Sequence, residues 1–410
     1  MDILRRLVGL LLTVGAVSGT APVARAQDEN AALQLAREVT PGVEQAVGLK
    51  FKREPAILVR SREQVRGYLS RKLVEEMPPP EMAAVQRTYR AFGLIQPTTD
   101  LRKLMLDLYS EQVAGYYDPD SSALFVVRGA DPLVLKLILA HELVHALQDQ
   151  YMSLNAILKL RRQNDRQMAG QAVAEGQATL ASLEAMAPGA DLSQVLGDWD
   201  QVREVIRSQQ SAMPVFATAP PIIQEGLLFP YLAGAQFMRD FNARRARPDE
   251  EPYGDRLPVS TAQVLHAGLY TARTLPERVG FAAAPGDTLV YDDDFGEFET
   301  GVALRTWGVD QAVAEAAAAG WDGDRFEVLG SPSGTVVLWA TAWRTPQDAD
   351  QFQRALRDGW ARMHGRTDAQ KWQVDRLDIR GVSVVRLVSA PAAWKGWAHP
   401  PAVALAPFSR

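Results

Sequence analysis

Two histidines and a glutamate between Ala140 and Asp149 have the side chains and the spacing to hold a metal ion and activate a water. His141 and His145 are four residues apart, and Glu142 directly follows the first histidine. On a helix, side chains four positions apart lie on the same face, so both imidazoles can reach one ion. Glu142 points about 100° away from His141, where it can accept a proton from water on that ion. The spacing therefore predicts metal-assisted hydrolysis on a single helix.

The H-E-x-x-H spacing is typical of zinc-dependent hydrolases, and such a site needs a third protein ligand beside an open position for water. The chain has no cysteine, so this ligand must be a histidine or a carboxylate. The residues directly after His145 contain no further histidine, which excludes a third histidine ligand soon after the motif. Glu175 is the favoured ligand, because it is an isolated charge among small residues and a buried carboxylate is costly unless paired or bound to metal. Glu184, in the same predicted helix, is the alternative.

Residues 1–26 have the pattern of a secretory signal peptide. Two arginines precede an apolar run from Leu7 to Val17, and Ala24-Arg25-Ala26 predicts cleavage before Gln27. The apolar run has 11 residues, whereas a helix needs about 20 to span a bilayer. We therefore expect an exported protein, periplasmic or secreted, with no stable membrane span after the signal is removed.

Composition and charge limit the class of protein further. The 410 residues are 47% hydrophobic and 23% charged, which is ordinary for a globular chain. The net charge of −5 provides no basic excess of the kind that nucleic-acid binding requires. Domains average roughly 150 residues. We predict a signal peptide over 1–26, a catalytic domain over 27–284, and a C-terminal domain with a tail over 285–410.

The pattern of elements predicts an α+β fold that places the histidines on a buried helix. Residues 118–121, Asp-Pro-Asp-Ser, form a turn signal between strand-like runs at 112–117 and 123–127, which predicts a β-hairpin. Asp131-Pro132 then predicts the start of the helix that carries the two histidines. A second helix over about 166–186 is rich in small residues, so another helix can approach it closely.

The C-terminal part predicts a smaller α+β unit with an antiparallel sheet. Strand-like runs at 326–329 and 335–341 are followed by a helix over Pro346 to His364 and by two further strands at 372–379 and 382–388. This unit contains no obvious catalytic motif. Its role in binding substrate, gating a cleft or stabilising the fold is left open by the sequence.

Over about residues 112–186 the chain resembles the gluzincin group of zinc metallopeptidases. In that group H-E-x-x-H lies on one helix, and a glutamate on a following helix completes the zinc site. The string His-Glu-Leu-Val-His, with Asp149 four residues later, is especially similar to thermolysin-like enzymes. The longer string from Ala140 to Gln150 resembles exported bacterial members of the group. The resemblance implies that zinc is bound by His141, His145 and Glu175, with Glu142 as general base.

The resemblance also implies supporting residues and shows one departure. Many gluzincins have an aspartate four residues after the ligand glutamate, where this chain has Thr179. Asp149 could orient a ligand instead, or it could be a solvated aspartate at a helix end. Gluzincins commonly stabilise the oxyanion with a downstream histidine or tyrosine, which makes His266 the leading candidate and Tyr116 and Tyr117 weaker ones. The strand over 123–127 would bind the substrate backbone by β-augmentation.

The expected function is therefore an exported zinc metallopeptidase that hydrolyses peptide bonds in a peptide or protein substrate. Two alternatives remain open at this point. One is an exported zinc-binding or scaffold protein that keeps the fold with little turnover, against which the presence of Glu142 argues. The other is a zinc hydrolase of non-peptide amides, whose site chemistry would be the same. The sequence does not give the oligomeric state.

Overall fold

A computed structural model describes most of the chain: residues 24–187, 211–247, 249–284, 286–364 and 369–408, with Glu204, Arg207 and Ser208. The fold is α+β, as predicted. Residues 1–23, most of the predicted signal peptide, lie outside the described residues, and the first helix begins at Ala24. Within the described ranges, no helix is both long enough and apolar enough to cross a membrane.

The elements that surround the histidine pair come first in the chain. In order they are α1 (Ala24–Val47), β1 (Ala56–Arg60), α2 (Arg62–Glu76), α3 (Pro79–Ala91), α4 (Leu101–Gln112), β2 (Gly115–Asp118), β3 (Ala123–Val127), α5 (Pro132–Gln148), α6 (Leu154–Leu158), α7 (Asn164–Met186), α8 (Pro214–Thr218), α9 (Pro221–Asn242), α10 (Thr261–Leu265) and α11 (Ala267–Ala272). A short 3₁₀ turn, Gly254–Arg256, precedes α10.

The remaining elements form the C-terminal sheet and its helices. They are β4 (Glu277–Phe281), β5 (Thr288–Asp293), α12 (Gly296–Thr306), α13 (Gln311–Ala318), β6 (Trp321–Ser331), β7 (Gly334–Trp343), α14 (Pro346–His364), β8 (Gln370–Ile379), β9 (Val382–Pro391) and β10 (Val403–Pro407). Strands β5 to β9 form an antiparallel sheet in the order β5-β6-β7-β9-β8, and β10 pairs with β4. The predicted antiparallel sheet is therefore confirmed.

The predicted hairpin is confirmed and belongs to a three-stranded sheet. Its turn is held by the Asp118 side chain, which accepts hydrogen bonds from the Asp120 N–H at 3.2 Å and from the Ser121 hydroxyl at 2.7 Å. β3 pairs antiparallel with β2 and parallel with β1, so the strand order is β1-β3-β2. β3 is therefore the central strand and β2 lies at one edge.

Helix α5 starts as the sequence predicts and is buried over most of its length. The Asp131 carboxylate accepts a hydrogen bond from the Leu133 N–H at 2.9 Å, and Pro132 occupies the first helical position. Every residue over 138–148 is buried, so this half of the helix has no solvated face. A Cβ on Gly115 of β2 would lie 2.5 Å from a methyl carbon of Ile138, so glycine lets the edge strand pack directly on α5.

Helices α7 and α9 approach each other closely through two glycines. A Cβ built on Gly234 would lie 2.0 Å from the carbonyl oxygen of Ala172, and one on Gly176 would lie 2.1 Å from the backbone of Gly234. These contacts are between backbone atoms, which cannot move aside as a side chain can. The small residues of α7 therefore allow the close approach that the sequence predicts, next to Glu175.

One buried hydrophobic cluster extends across both predicted domains. The ring of Phe92, which follows α3, lies 5.2 Å from Phe326, 6.2 Å from Trp339 and 6.0 Å from Trp360, measured between ring centroids. The indole N–H of Trp307 also donates to the Phe92 carbonyl at 2.7 Å. The C-terminal sheet thus packs on the helices of the first domain, and the boundary at 284/285 stays a prediction.

The close approach of α7 and α9 predicts opposite effects for the same substitution at two glycines of α9. Gly234→Ala should lower the free energy of unfolding by about 1–3 kcal/mol or more, because its methyl group would overlap the Ala172 carbonyl. Gly226→Ala should raise it by up to about 1 kcal/mol, because nothing lies within 4 Å of its Cβ and alanine favours the helix. Chemical denaturation measures both, and equal effects would contradict the described packing.

Candidate metal centre

Three side chains from α5 and α7 bring their ligand atoms to one point in the interior. Nε2 of His141 lies 3.2 Å from Nε2 of His145, and Oε2 of Glu175 lies 3.2 Å from the first nitrogen and 3.4 Å from the second. The three atoms form a nearly equilateral triangle. Within the described residues, this is the group of histidine and acidic side chains whose geometry could hold a metal ion.

The ligand group is almost completely shielded from solvent. His141 is 0% exposed, His145 2% and Glu175 2%. A cavity of about 50 Å³ adjoins His145 and Glu175 and opens between α2, the turn after β2, α6 and α7. A space of this size holds one or a few water molecules. The site therefore has room for a metal ion with water, while larger substrate groups require the surrounding elements to move.

In the absence of a metal ion, burial and the attraction between the three ligand side chains determine their pKa values. Burial lowers the pKa of His141, although Glu175 opposes this shift. Burial also acts to lower the pKa of His145, but the Glu175 carboxylate outweighs burial and raises it to about 9. Burial acts to raise the pKa of Glu175, yet His145 and His141 together lower it to about 2. The metal-free group thus holds an ionised Glu175 against a protonated His145.

Glu142 lies beside this group with one oxygen still available. It is 1% exposed, and burial raises its pKa to about 8. The backbone N–H of Tyr117, at the edge strand β2, donates to this carboxylate. Within the described part of the chain, Oε2 of Glu142 has no hydrogen-bond partner. A buried oxygen without a partner is costly, and water on an ion held by the three ligands would provide one.

Gln148 supports His145, a contact that the sequence analysis did not identify. Oε1 of Gln148 lies 2.9 Å from Nδ1 of His145. Asp149, considered above for this role, instead accepts hydrogen bonds from the Tyr117 hydroxyl at 3.0 Å and the Leu154 N–H at 2.9 Å. Gln148 is three positions after His145 on the same helix, so the helical spacing contained a signal for it.

Within the described residues, Thr179, which stands where many gluzincins have an aspartate, and the ligand His141 each have an unpaired polar atom. Within the described chain, neither Nδ1 of His141 nor the hydroxyl of Thr179 has a hydrogen-bond partner, and both are buried. His141 is instead packed against the ring of Tyr231 of α9, with the two rings stacked and their centroids 6.2 Å apart. The aspartate found in many gluzincins at this position thus has no direct substitute here.

The prediction that the strand over 123–127 binds the substrate backbone is wrong. This strand is β3, and its backbone is paired with β1 on one side and β2 on the other. Its position follows from parallel pairing with β1, which lies far away in the sequence and leaves no local signal. The edge strands are β1 and β2, and the Tyr117 N–H of β2 already reaches Glu142.

His266 lies apart from the ligand group, and so does Glu184. Nε2 of His266 lies 2.5 Å from Oε1 of Glu297, and the cavity that His266 lines, about 540 Å³, includes none of the three ligands. Glu184 is exposed near the end of α7. The structure thus brings together His141, His145 and Glu175, with Glu142 beside them, and the role of His266 in stabilising an oxyanion stays a prediction.

Comparison with known proteins concerns only the C-terminal part of the chain. Residues 287–394 match the model of a domain of unknown function, DUF8575. No curated protein and no solved structure matches the chain. The ligand group lies outside the matched residues, so its chemistry must be argued from its geometry.

The geometry predicts that Glu175 is required for metal binding and Glu184 is not. Glu175→Ala should weaken metal affinity by more than about 100-fold, because loss of supporting residues alone costs 10–100-fold. Glu184→Gln, on the same helix, should leave affinity unchanged. Metal content after dialysis and competition with a chelator measure both. Full metal content in Glu175→Ala would rule out Glu175 as a ligand.

The protonation of the ligand group predicts that metal affinity rises with pH. The pKa of His145 is about 9 without metal, so at pH 7 an ion must displace its proton. Affinity should therefore increase by roughly tenfold per pH unit between 7 and 8 and level off near 9. Calorimetry in buffers of different ionisation enthalpy should show release of at least one proton at pH 7. An affinity independent of pH over this range would contradict the described ion pair.

Proposed function

We propose that this chain is a zinc-dependent hydrolase of peptide bonds, similar in its site to gluzincin metallopeptidases and exported to the periplasm or the exterior. The observation that carries the proposal is the triangle of His141, His145 and Glu175 with the unpaired oxygen of Glu142 beside it. The three ligands favour a bound cation, and the fourth residue favours hydrolysis over storage. The sequence pattern over 1–26 supports export.

Zinc suits both the size and the chemistry of the ligand group. Nitrogen and oxygen ligands about 2.0–2.1 Å from a tetrahedral zinc ion lie about 3.3 Å from one another. The three separations here are 3.2, 3.2 and 3.4 Å. Three protein ligands also leave one position open for water, as catalytic zinc sites do. An ion could therefore enter this triangle without rearranging the side chains.

The residues of this chain then have distinct roles in hydrolysis. Bound zinc would supply a Lewis acid that polarises the scissile carbonyl and lowers the pKa of a water. Glu142 accepts the proton of that water through its unpaired oxygen, while the Tyr117 N–H holds the carboxylate in place. Burial raises the pKa of Glu142 in the metal-free chain, and a bound cation would oppose this shift, so that the carboxylate can accept the proton and pass it to the leaving amine.

Two side chains are candidates for stabilising the oxyanion. Tyr231 is stacked on the ligand His141, whereas His266 pairs with Glu297 in a different cavity. Of the two, Tyr231 is the one whose ring lies against a proposed metal ligand. The oxyanion role that the sequence suggests for His266 stays a prediction.

A binding or scaffold protein is the competing proposal, and the small cavity beside the ligands is the observation in its favour. In that case the chain would hold zinc without turning over a substrate. Hydrolysis of a non-peptide amide would use the same four residues. Of these possibilities, only the peptidase cleaves peptides when zinc is present.

The decisive experiment separates metal binding from turnover. The mature chain should contain about one zinc ion, and His141→Ala should lose it. Glu142→Gln should retain zinc but lose at least about 100-fold in the rate of cleavage of a mixed peptide library, because only the proton acceptor is removed. Glu184→Gln is the matched control and should retain both zinc and activity.

Each other outcome points to a different conclusion. Zinc without peptide cleavage by the unmutated chain would favour the scaffold protein or an amide hydrolase, which non-peptide amide substrates then distinguish. Two imidazoles and one carboxylate also bind iron, so the metal must be identified. Iron in place of zinc in the purified chain would contradict the proposal. Undiminished cleavage by Glu142→Gln would exclude Glu142 as the base.

A further inference from the structure

A line of buried polar side chains leads away from the ligand His145. Gln148 is 0% exposed, Gln177 4% and Glu251 3%. Nε2 of Gln148 donates to Oε1 of Gln177 at 2.9 Å, and Nε2 of Gln177 donates to Oε2 of Glu251 at 2.6 Å. The other oxygen of Glu251 lies 3.1 Å from Nη1 of Arg245. The line therefore joins α5, α7 and the segment after α9.

The direction of each hydrogen bond in this line is fixed by groups that can only accept. Nε2 of Gln148 donates to the backbone carbonyl of Ala174 at 2.9 Å, and a carbonyl has no hydrogen to offer in return. The amide of Gln148 must therefore turn its oxygen toward His145. The carboxyl group of Glu251, whose other oxygen accepts from Arg245, orients Gln177 by accepting from its Nε2, which leaves Oε1 of Gln177 to accept from Gln148 and from the Tyr253 hydroxyl.

This orientation determines which nitrogen of His145 can bind a metal. An amide oxygen 2.9 Å from Nδ1 requires a hydrogen on that nitrogen. The neutral imidazole then has its lone pair on Nε2, the atom that faces His141 and Glu175. Without an acceptor at Nδ1, the hydrogen of the neutral ring would be free to reside on Nε2, where the Glu175 carboxylate attracts it and the metal would be excluded.

We propose that Gln148 is a positioning residue that, with Gln177 and Glu251 behind it, holds His145 in the tautomer that binds zinc. The inference rests on the proposed zinc site, but it does not depend on which bond the enzyme cleaves. It assigns a function to a buried glutamine pair that has no role in the chemical step itself.

The test compares zinc affinity in variants that remove or keep the acceptor. Gln148→Met fills the same volume without an acceptor and should weaken zinc binding by about 10–100-fold. Gln148→Glu keeps an acceptor for the Nδ1 hydrogen, so its zinc affinity should be at least about tenfold higher than that of Gln148→Met. Gln177→Leu removes one of the two acceptors that orient Gln148, so its loss should be smaller than that of Gln148→Met.

Gln167→Met is the matched control. Gln167 is also a buried glutamine, 0% exposed, and its side chain donates to the Leu158 carbonyl at 2.7 Å. It lies eight residues before Glu175 on α7, about 12 Å along the helix. Gln167→Met should change the free energy of unfolding, because it replaces a buried polar side chain with an apolar one. Its zinc affinity should stay unchanged.

A spectroscopic measurement separates positioning from a purely structural role. The chain has five histidines, so selective ¹⁵N labelling of histidine can resolve His145 in the zinc-bound protein. The unmutated chain should show a hydrogen on Nδ1 that exchanges slowly with solvent, and Gln148→Met should lose this protection. Gln148→Glu should restore it.

The outcomes distinguish this inference from the proposed function. Zinc bound by the unmutated chain, with equal affinity in Gln148→Met and Gln167→Met, would overturn the positioning role and leave the zinc site intact. If Gln148→Met does not fold, equal zinc affinity in Gln177→Leu and the unmutated chain would overturn it instead. No zinc in the unmutated chain would overturn both proposals together.

Discussion

The ionised Glu175 carboxylate in the protein interior is the constraint on which the site depends. A buried charge must be compensated by hydrogen-bond donors or by opposite charge. At Asp324 the chain surrounds a buried carboxyl group with donors alone, which are the Phe295 and Gly296 N–H groups and the indoles of Trp321 and Trp339, each at 2.9–3.0 Å. The buried carboxylate of Glu175 instead faces two imidazoles at 3.2–3.4 Å. Asp324 is therefore a structural carboxyl group, whereas Glu175 is placed to bind a cation together with the two histidines.

Placing Glu175 against the two histidines determines how the surrounding helices pack. α7 must approach α5 on one side and α9 on the other, and only glycine permits the second contact at Gly176 and Gly234. α5 in turn carries no solvated face over 138–148, so Glu142 and Gln148 are buried with the ligands. Each buried polar atom then needs a partner from a neighbouring element. The line from Gln148 to Glu251 satisfies this need and links three segments around the site.

The sequence predicted the parts of the structure that rest on local signals. The cap at Asp131, the hairpin turn at Asp118, and the helix over Pro346 to His364 follow from neighbouring residues. The ligand group was predictable because helical spacing fixes the histidine pair and because an isolated charge in a small-residue helix requires a partner. The central position of β3 was not predictable, since it depends on parallel pairing with β1, more than sixty residues earlier. The neighbourhood of Tyr231 and His141 likewise depends on how α9 packs, which no local pattern encodes.

The small cavity beside the ligands is compatible with a hydrolase, because ion pairs hold its rim whereas long buried helices carry the ligands. Binding sites for small molecules occupy about 300 Å³ or more, whereas this cavity is about 50 Å³. At its rim Asp120 pairs with Lys72 at 2.5 Å and Lys159 at 3.0 Å, and it also accepts from Asn155 at 3.0 Å. Partly exposed ion pairs of this kind contribute about 1 kcal/mol or less each. The ligands, by contrast, lie on long buried helices, where Gln148 holds His145 and the two imidazoles hold Glu175. These ion pairs at the rim can therefore break at a small cost in free energy, while the buried helices keep the ligands in place.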